Sequence, residues 1–330
     1  MLFATVFLIV VVAGLNLAAT SAVLAATRAR DAAVLGVLGA GPAVVTRVFV
    51  LAGALVGVAG TIAGMLLGTG AAIALVAVVL PFVLDNPFHL RVATLVWIYG
   101  LAALGLNLLM GVAGQVSLGH AGFLAIGAYA AAVGPTHFGL PTWLAVIAGV
   151  ALAAAVAFAV GRPILRLRGH YFAVATLGFG LLVSMVLTNE TGYTGGPDGM
   201  AVPRLVVFGT SIRKTAQWYW IAGTVLVAGV WGVTNLIGSP SGRALRAIHD
   251  SEVAASVLGV DVARYKLVAF VLSAAMAAAA GAMLALFDGH VTPVAAGFLR
   301  SVEFVTMAVL GGLGSVLGSL VGAAILVVLP

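Results

Sequence analysis

Uncharged apolar runs of about 18 to 28 residues recur along this chain, each long enough as a helix to cross a hydrocarbon core of roughly 30 Å. Inside lipid every backbone N–H and C=O must be satisfied within the protein, so a chain built from such runs is confined to packed helices. Candidate spans lie at 1–25, 48–67, 92–110, 114–133, 142–161, 171–188, 216–237, 266–287 and 303–329, with a weaker, shorter one at 71–84. The expected fold is an all-α polytopic membrane protein with about nine or ten transmembrane helices, some of them broken. Composition agrees, with 63% of residues hydrophobic and 7% charged, against roughly 25% charged in a soluble domain.

The few charges carry the orientation. Arg162, Arg166 and Arg168 form one basic loop and residues 239–266 form another, with two spans between them. Both can therefore face the cytoplasm under the positive-inside rule, which puts the 189–217 loop outside. Arg28, Arg30 and Arg47 also ask for the cytoplasm, and the count allows this if 71–84 does not cross or if the region near 111–122 is re-entrant. The first option is preferred, because 14 residues of helix reach only about 21 Å. The net charge of +6 comes from Arg scattered between spans and does not describe a nucleic-acid surface. The first charge is Arg28, so the apolar start lacks the basic region of a cleaved signal peptide.

Residues 239–266, SPSGRALRAIHDSEVAASVLGVDVARYK, hold seven of the chain's few charged residues between two apolar spans. Ser241 is expected to cap a first helix, Gly259 to end it in the left-handed conformation, and Asp261 to cap the helix that enters the membrane. A short charged helix held against the membrane face suits a site gripped by a soluble partner; a solvated loop is the plain alternative.

Three glycine-rich segments punctuate the spans: GVAGQVSLGHAG (111–122), YTGGPDGM (193–200) and VLGGLGSVLGSLVGA (309–323). In the first, Gly114, Gly119 and their neighbours can break a helix, while Gln115, Ser117 and His120 supply polar side chains at that level. Discontinuous helices of this kind line transport pathways, although a simple turn between two spans is the alternative. Asn107 lies mid-span and reads as an interhelical hydrogen-bonding group, with pathway lining as the second reading. His120 reads first as a satisfied polar cap and second as a proton relay. Glu303 and Arg300 share a helix face and read as a structural pair.

Catalysis has no visible apparatus. The six histidines show no metal-binding spacing, there are no cysteines, and neither a nucleophile elbow nor a P-loop occurs. The chain is read as a non-enzyme without a cofactor; any ATP must be hydrolysed by another subunit.

Several motifs carry a resemblance. GLNLLMGVAGQVSLGHAGFLAIGAYAAA (105–132), LRLRGHYFAVATLGFG (165–180), TGGPDG (194–199), the 241–266 island and EFVTMAVLGGLGSVLG (303–318) occur in order. Residues from about 86 to 330 resemble the membrane subunit of a branched-chain amino-acid ABC importer. The resemblance implies a type II-like importer bundle and a substrate pathway at Asn107, Gly114, Gln115, Ser117, Gly119 and His120. It makes Gly242, Arg243, Arg246, Asp250, Glu252, Ala255, Gly259 and Asp261 parts of the ATPase-coupling island. The implied partners are cytoplasmic ABC ATPase subunits, a second homologous permease, an extracytoplasmic substrate-binding protein, an amino-acid substrate and the inner-membrane bilayer, with no nucleic acid. Chains of that family usually extend beyond the position of Pro330, so a truncated C-terminus is expected.

Residues 1–70 resemble a different family, the last part of a lipoprotein-releasing or macrolide-export type ABC permease, through motifs such as TRARDAAVLGVLGA (27–40). The chain is expected to divide into 1–70, a junction at 71–85, and the importer-like 86–330. A permease fragment that relays ATPase motion without carrying solute is the alternative function, and amides or urea are alternative substrates on the importer scaffold.

Overall fold

The computed structural model describes residues 87–328 apart from 168, 208, 209 and 213. The candidate spans at 1–25, 48–67 and 71–84 and the charged 27–40 motif lie outside the described residues.

Pro87 opens α1 (Pro87–Asn107), at a position where a missing N–H costs nothing. One π-helical segment, Leu108–Val112, extends it. The combined 26-residue rod is about 39 Å long at 1.5 Å per residue, enough to cross a bilayer core. The chain then runs without helix from 113 to 119 before α2 (His120–Phe138) begins. The span expected at 114–133 therefore starts as helix six residues late. Next come α3 (Thr142–Ile164), α4 (His170–Asn189) and α5 (Thr215–Gly238). The island forms α6 (Pro240–Asp250) and α7 (Glu252–Val257), and α8 (Val262–Asp288) returns through the bundle. Two short helices follow, α9 (Phe298–Gly311) and α10 (Val316–Val328). Among the described residues, five helices are long and apolar enough to cross a membrane: the α1 rod, α3, α4, α5 and α8.

Two corrections to the expected elements follow from backbone chemistry. Residues 303–329 do not make one span. Gly312 (φ 96°) and Gly314 (φ 80°) adopt left-handed conformations that side-chain-bearing residues avoid, and the chain reverses there. Gly311 then packs on the Gly318 backbone and Gly322 on that of Met307, so α9 and α10 form an antiparallel hairpin. Neither arm exceeds about 21 Å. The island is also two helices rather than one. Ser239, not Ser241, accepts the Gly242 N–H at 3.3 Å, with Pro240 at the first helical position. Ser251 is extended (φ −161°) and caps α7 by accepting the Ala254 N–H at 3.2 Å. Gly259 (φ 84°) follows α7, and Asp261 caps α8 by accepting the Arg264 N–H at 3.1 Å.

Small residues let the central helices approach closely. Gly127 lies on the Ala278 backbone and Gly281 on that of Leu124, which seats α2 against α8. Gly149 meets Ala130 and joins α3 to α2. Aromatic rings fill the space beside this seam: Phe123 stacks on Phe179 at 4.7 Å between centroids and meets Phe270 edge-on at 5.5 Å. The outward faces of α4 and α5 remain apolar, with Leu182, Met185, Val227 and Trp231 exposed. Such faces suit lipid, in which exposed apolar surface carries no hydrophobic penalty.

The helix directions can be read from end-to-end contacts. Arg91, at the start of α1, pairs with Asp288, at the end of α8, at 2.6 Å. Met200–Ala201 pairs antiparallel with His290–Val291, which ties the 190–214 loop to that same end. Gly161, beside the basic loop that starts at Arg162, packs on Leu267 and Phe270 near the start of α8. The two basic loops thus share the opposite end of the bundle.

Candidate substrate pathway and coupling surface

The island is anchored on one side and open on the other. In α6, Gly242, Leu245 and Ile248 recur every third residue and are buried, whereas Arg243, Arg246 and Asp250 are exposed. A side chain at Gly242 would place its Cβ 2.5 Å from Ile237 Cα, so glycine permits the sharp join to α5. Arg246 donates to the Ile237 carbonyl at 3.0 Å, filling an acceptor that the end of α5 leaves open. In α7, Ala255 is buried, and Glu252 forms an ion pair with Lys266, which is 2% exposed. This pair ties α7 to the second turn of α8. The opposite face presents Val253, Val257 and Leu258, the last two at 81% and 80% exposure. The result is an anchored platform whose outer face carries apolar side chains and charges of both signs.

The non-helical stretch before α2 reaches this platform. Gly114 (φ 68°) is exposed, and a Cβ there would meet the His249 ring at 3.2 Å. From that turn the chain climbs back into the bundle. Gln115 is buried, its backbone N–H donating to the Leu109 carbonyl at 2.9 Å. Leu118 N–H donates to Thr176 Oγ1 at 3.1 Å, and Gly119 packs on the Thr176 backbone. Ala121 N–H, in the first turn of α2, donates to Ser301 Oγ at 3.1 Å. Hydroxyls from α4 and α9 thus replace the helical bonds that the break removes, as a lipid-embedded backbone requires.

Ser117 and His120 are brought together at this level, both fully enclosed. His120 Nδ1 lies 3.0 Å from Ser117 Oγ, and Nε2 lies 2.5 Å from Ser273 Oγ. Ser273 spends its one proton on the Gly105 carbonyl at 2.5 Å, so Nε2 must donate to Ser273. A neutral imidazole then accepts the Ser117 hydroxyl proton at Nδ1, so both ring nitrogens of His120 are used. Asn107 belongs to a second network. Its amide nitrogen donates to the Ser315 carbonyl at 2.8 Å and to Ser319 Oγ at 2.7 Å, and its oxygen accepts the Gly314 N–H at 2.8 Å.

The partners Thr176, Ser273, Ser301, Ser315 and Ser319 were not singled out from sequence. Thr176 and Ser273 are isolated hydroxyls in apolar runs, Ser301 sits between Arg300 and Glu303, and Ser315 and Ser319 lie in the glycine-rich 309–323 segment, so none carries a local signal of its partner. Arg300 and Glu303, expected to share a face, pair at 2.7 Å, with the guanidinium over the Tyr99 ring. Among the described residues no group of three His, Cys, Asp or Glu side chains could hold a metal ion.

Comparison with known proteins gives the arrangement a context. Residues 88–330 match the family described as branched-chain amino acid transport system / permease component. Residues 3–120 match the FtsX-like permease C-terminal family, overlapping the first match over α1 and the break. The LivM high-affinity branched-chain amino acid permease protein of Escherichia coli K12 is 37% identical over 282 residues, covering 78% of this chain and 66% of LivM. LivM of Salmonella typhimurium LT2 is 35% identical over 281 residues, with the same shares. LivH of E. coli K12 is 31% identical over 249 residues, covering 69% of this chain and 79% of LivH. The chain thus spans just under two thirds of the length of the LivM relatives. No solved structure matches it.

Proposed function

The chain belongs to the branched-chain amino acid transport permease family, and from that premise we propose that it is a multi-pass inner-membrane subunit of an ABC importer. Its substrate would be leucine, isoleucine, valine or a related hydrophobic amino acid, moved into the cytoplasm. Cytoplasmic ATPase subunits would supply the energy, a binding protein would deliver substrate at the outer end, and a second permease would complete the pathway. Relatives named LivM and LivH both align with this chain, which favours a paired permease. The proposed architecture is a type II-like bundle of about nine or ten spans, with residues 86–330 as the importer unit, 71–85 as junction and 1–70 as an appended two-span segment.

The observation that carries this reading is the close approach of Gly114 to the His249 ring, which a Cβ at Gly114 would meet at 3.2 Å. It joins the broken segment to the island, so one mechanical path links an ATPase-facing surface to the interior. In this reading Gly242, Arg243, Arg246, Asp250, Glu252, Ala255, Gly259 and Asp261 form the coupling surface. Asn107, Gly114, Gln115, Ser117, Gly119 and His120 flank the route opened when that surface moves. ATP binding elsewhere would shift the outward and inward populations by its differential affinity for the two platform positions.

The FtsX-like match over 3–120 favours one second reading, a permease that relays ATPase motion without carrying solute. Both are tested by reconstituting the assembled complex in liposomes. ATP-driven, binding-protein-dependent leucine accumulation is expected. ATP hydrolysis without accumulation of any branched-chain amino acid would favour the second reading.

A further inference from the structure

We propose that a cleft at the outer end of the bundle, between the starts of α1 and α5 and the end of α8, receives a zwitterionic amino acid with an apolar side chain. The inference rests on the importer reading and adds a place and a recognition chemistry to it. The cleft encloses about 360 Å³ and is lined by Arg91, Arg204 and Asp288 together with Ile212, Trp218 and Leu286. That volume lies at the small end of the range for small-molecule sites, and the lining mixes an apolar wall with a few charged groups as such sites do.

The three charges match the two ends of an amino acid. Arg91 uses one nitrogen on Asp288 Oδ1 at 2.6 Å and lays its guanidinium over the Phe287 ring, 5.3 Å from the centroid. A guanidinium carries five N–H donors in a planar fork, so most of Arg91's remain for a ligand carboxylate. Arg204 is exposed and has no ion-pair partner among the described residues. A carboxylate between Arg91 and Arg204 meets two forks that favour planar, bidentate recognition. The Oδ2 oxygen of Asp288 accepts no hydrogen bond from the described residues and is free for the ammonium group. Ile212, Trp218 and Leu286 then face an aliphatic side chain.

A purely structural ion pair would explain Arg91 and Asp288, but not the unpaired Arg204 or the cavity between them. Both members of the pair are partly exposed, with 54% and 34% of their side-chain surfaces open. Pairs of that kind contribute little to stability, so substitutions here report on binding rather than folding.

The test is equilibrium binding of tritiated leucine to the full chain in nanodiscs, run beside leucine uptake by the assembled complex. Leucinamide lacks the carboxylate and 4-methylpentanoate lacks the ammonium group; each is expected to compete at least tenfold more weakly than leucine. Arg204→Gln, which leaves the Arg91–Asp288 pair in place, is expected to weaken leucine binding at least tenfold, and Asp288→Asn to do likewise. Wild-type uptake combined with unchanged leucine affinity in both variants overturns the site and leaves the importer reading standing. Equal competition by either analogue also overturns the site. Absence of uptake of any branched-chain amino acid by the wild-type complex overturns the importer reading and this site with it.

Discussion

The side-chain oxygen of Asn107 accepts the Gly314 amide at 2.8 Å, so a residue near the end of α1 holds the tip of the α9–α10 hairpin. The same side chain donates to the Ser315 carbonyl and to Ser319 Oγ. One amide thereby closes the polar groups exposed by the Gly312–Gly314 reversal, which would otherwise be costly in an apolar setting.

Asn107→Ala is expected to loosen that hairpin. Interhelical hydrogen bonds in membranes average about 0.6 kcal/mol each and reach about 1.7, so three strong bonds predict a loss of roughly 2–4 kcal/mol. The measurement is the Tm of the detergent-solubilised protein. An unchanged Tm would show that glycine packing alone holds the hairpin.

Ala247→Pro is expected to leave membrane insertion intact and abolish ATP-driven uptake. Ala247 lies in the interior of α6, where its N–H is part of the helical ladder and its carbonyl accepts the Ser251 amide at 3.0 Å. Proline there removes a backbone hydrogen bond and costs about 3 kcal/mol. Normal uptake by a well-expressed variant would reduce the island to a passive loop.

Ser117→Cys tests the pathway itself. Ser117 is fully buried beside His120 in this conformation, so the cysteine is expected to resist hydrophilic thiol reagents here. It should become reactive in another nucleotide state if the break between 113 and 119 opens. The chain has no cysteine of its own, so labelling carries no background from it. Protection in every state of the cycle would falsify the assignment of Gln115, Ser117 and His120 to the route.

Features set by local chemistry were legible before the fold was known. Apolar run length located α3, α4, α5 and α8, while the missing side chain of Gly259 and the carboxylate of Asp261 announced a left-handed residue and a cap within a few positions of themselves. What escaped was non-local. Nothing near Ser273 says that its hydroxyl will meet His120, 153 residues earlier. The split at Ser251 was missed because a serine followed by an acidic residue also fits a continuous exposed helix, and only its extended backbone makes it a cap. The single span drawn over 303–329 failed for a related reason: apolar length alone does not distinguish one crossing from a hairpin folded at glycine.

Deleting residues 1–70 and restarting the chain at the junction is expected to retain binding-protein-dependent uptake. Within the described unit α1 packs against α5, α8 and α10. In the proposed importer α6 and α7 already supply one platform for an ATPase, and the charged Asp31–Ala40 segment resembles the ATPase-contacting helix of a different permease family. The prediction extends to docking: crosslinks from Asp31–Ala40 should not reach the ATPase groove that receives the island. The FtsX-like match continues to residue 120, through α1 and the break, so the deletion also decides which family's boundary describes the chain. A deletion protein that inserts, assembles with its partners and hydrolyses ATP but fails to accumulate leucine would make the first seventy residues integral to the machine and move the boundary toward the N-terminus.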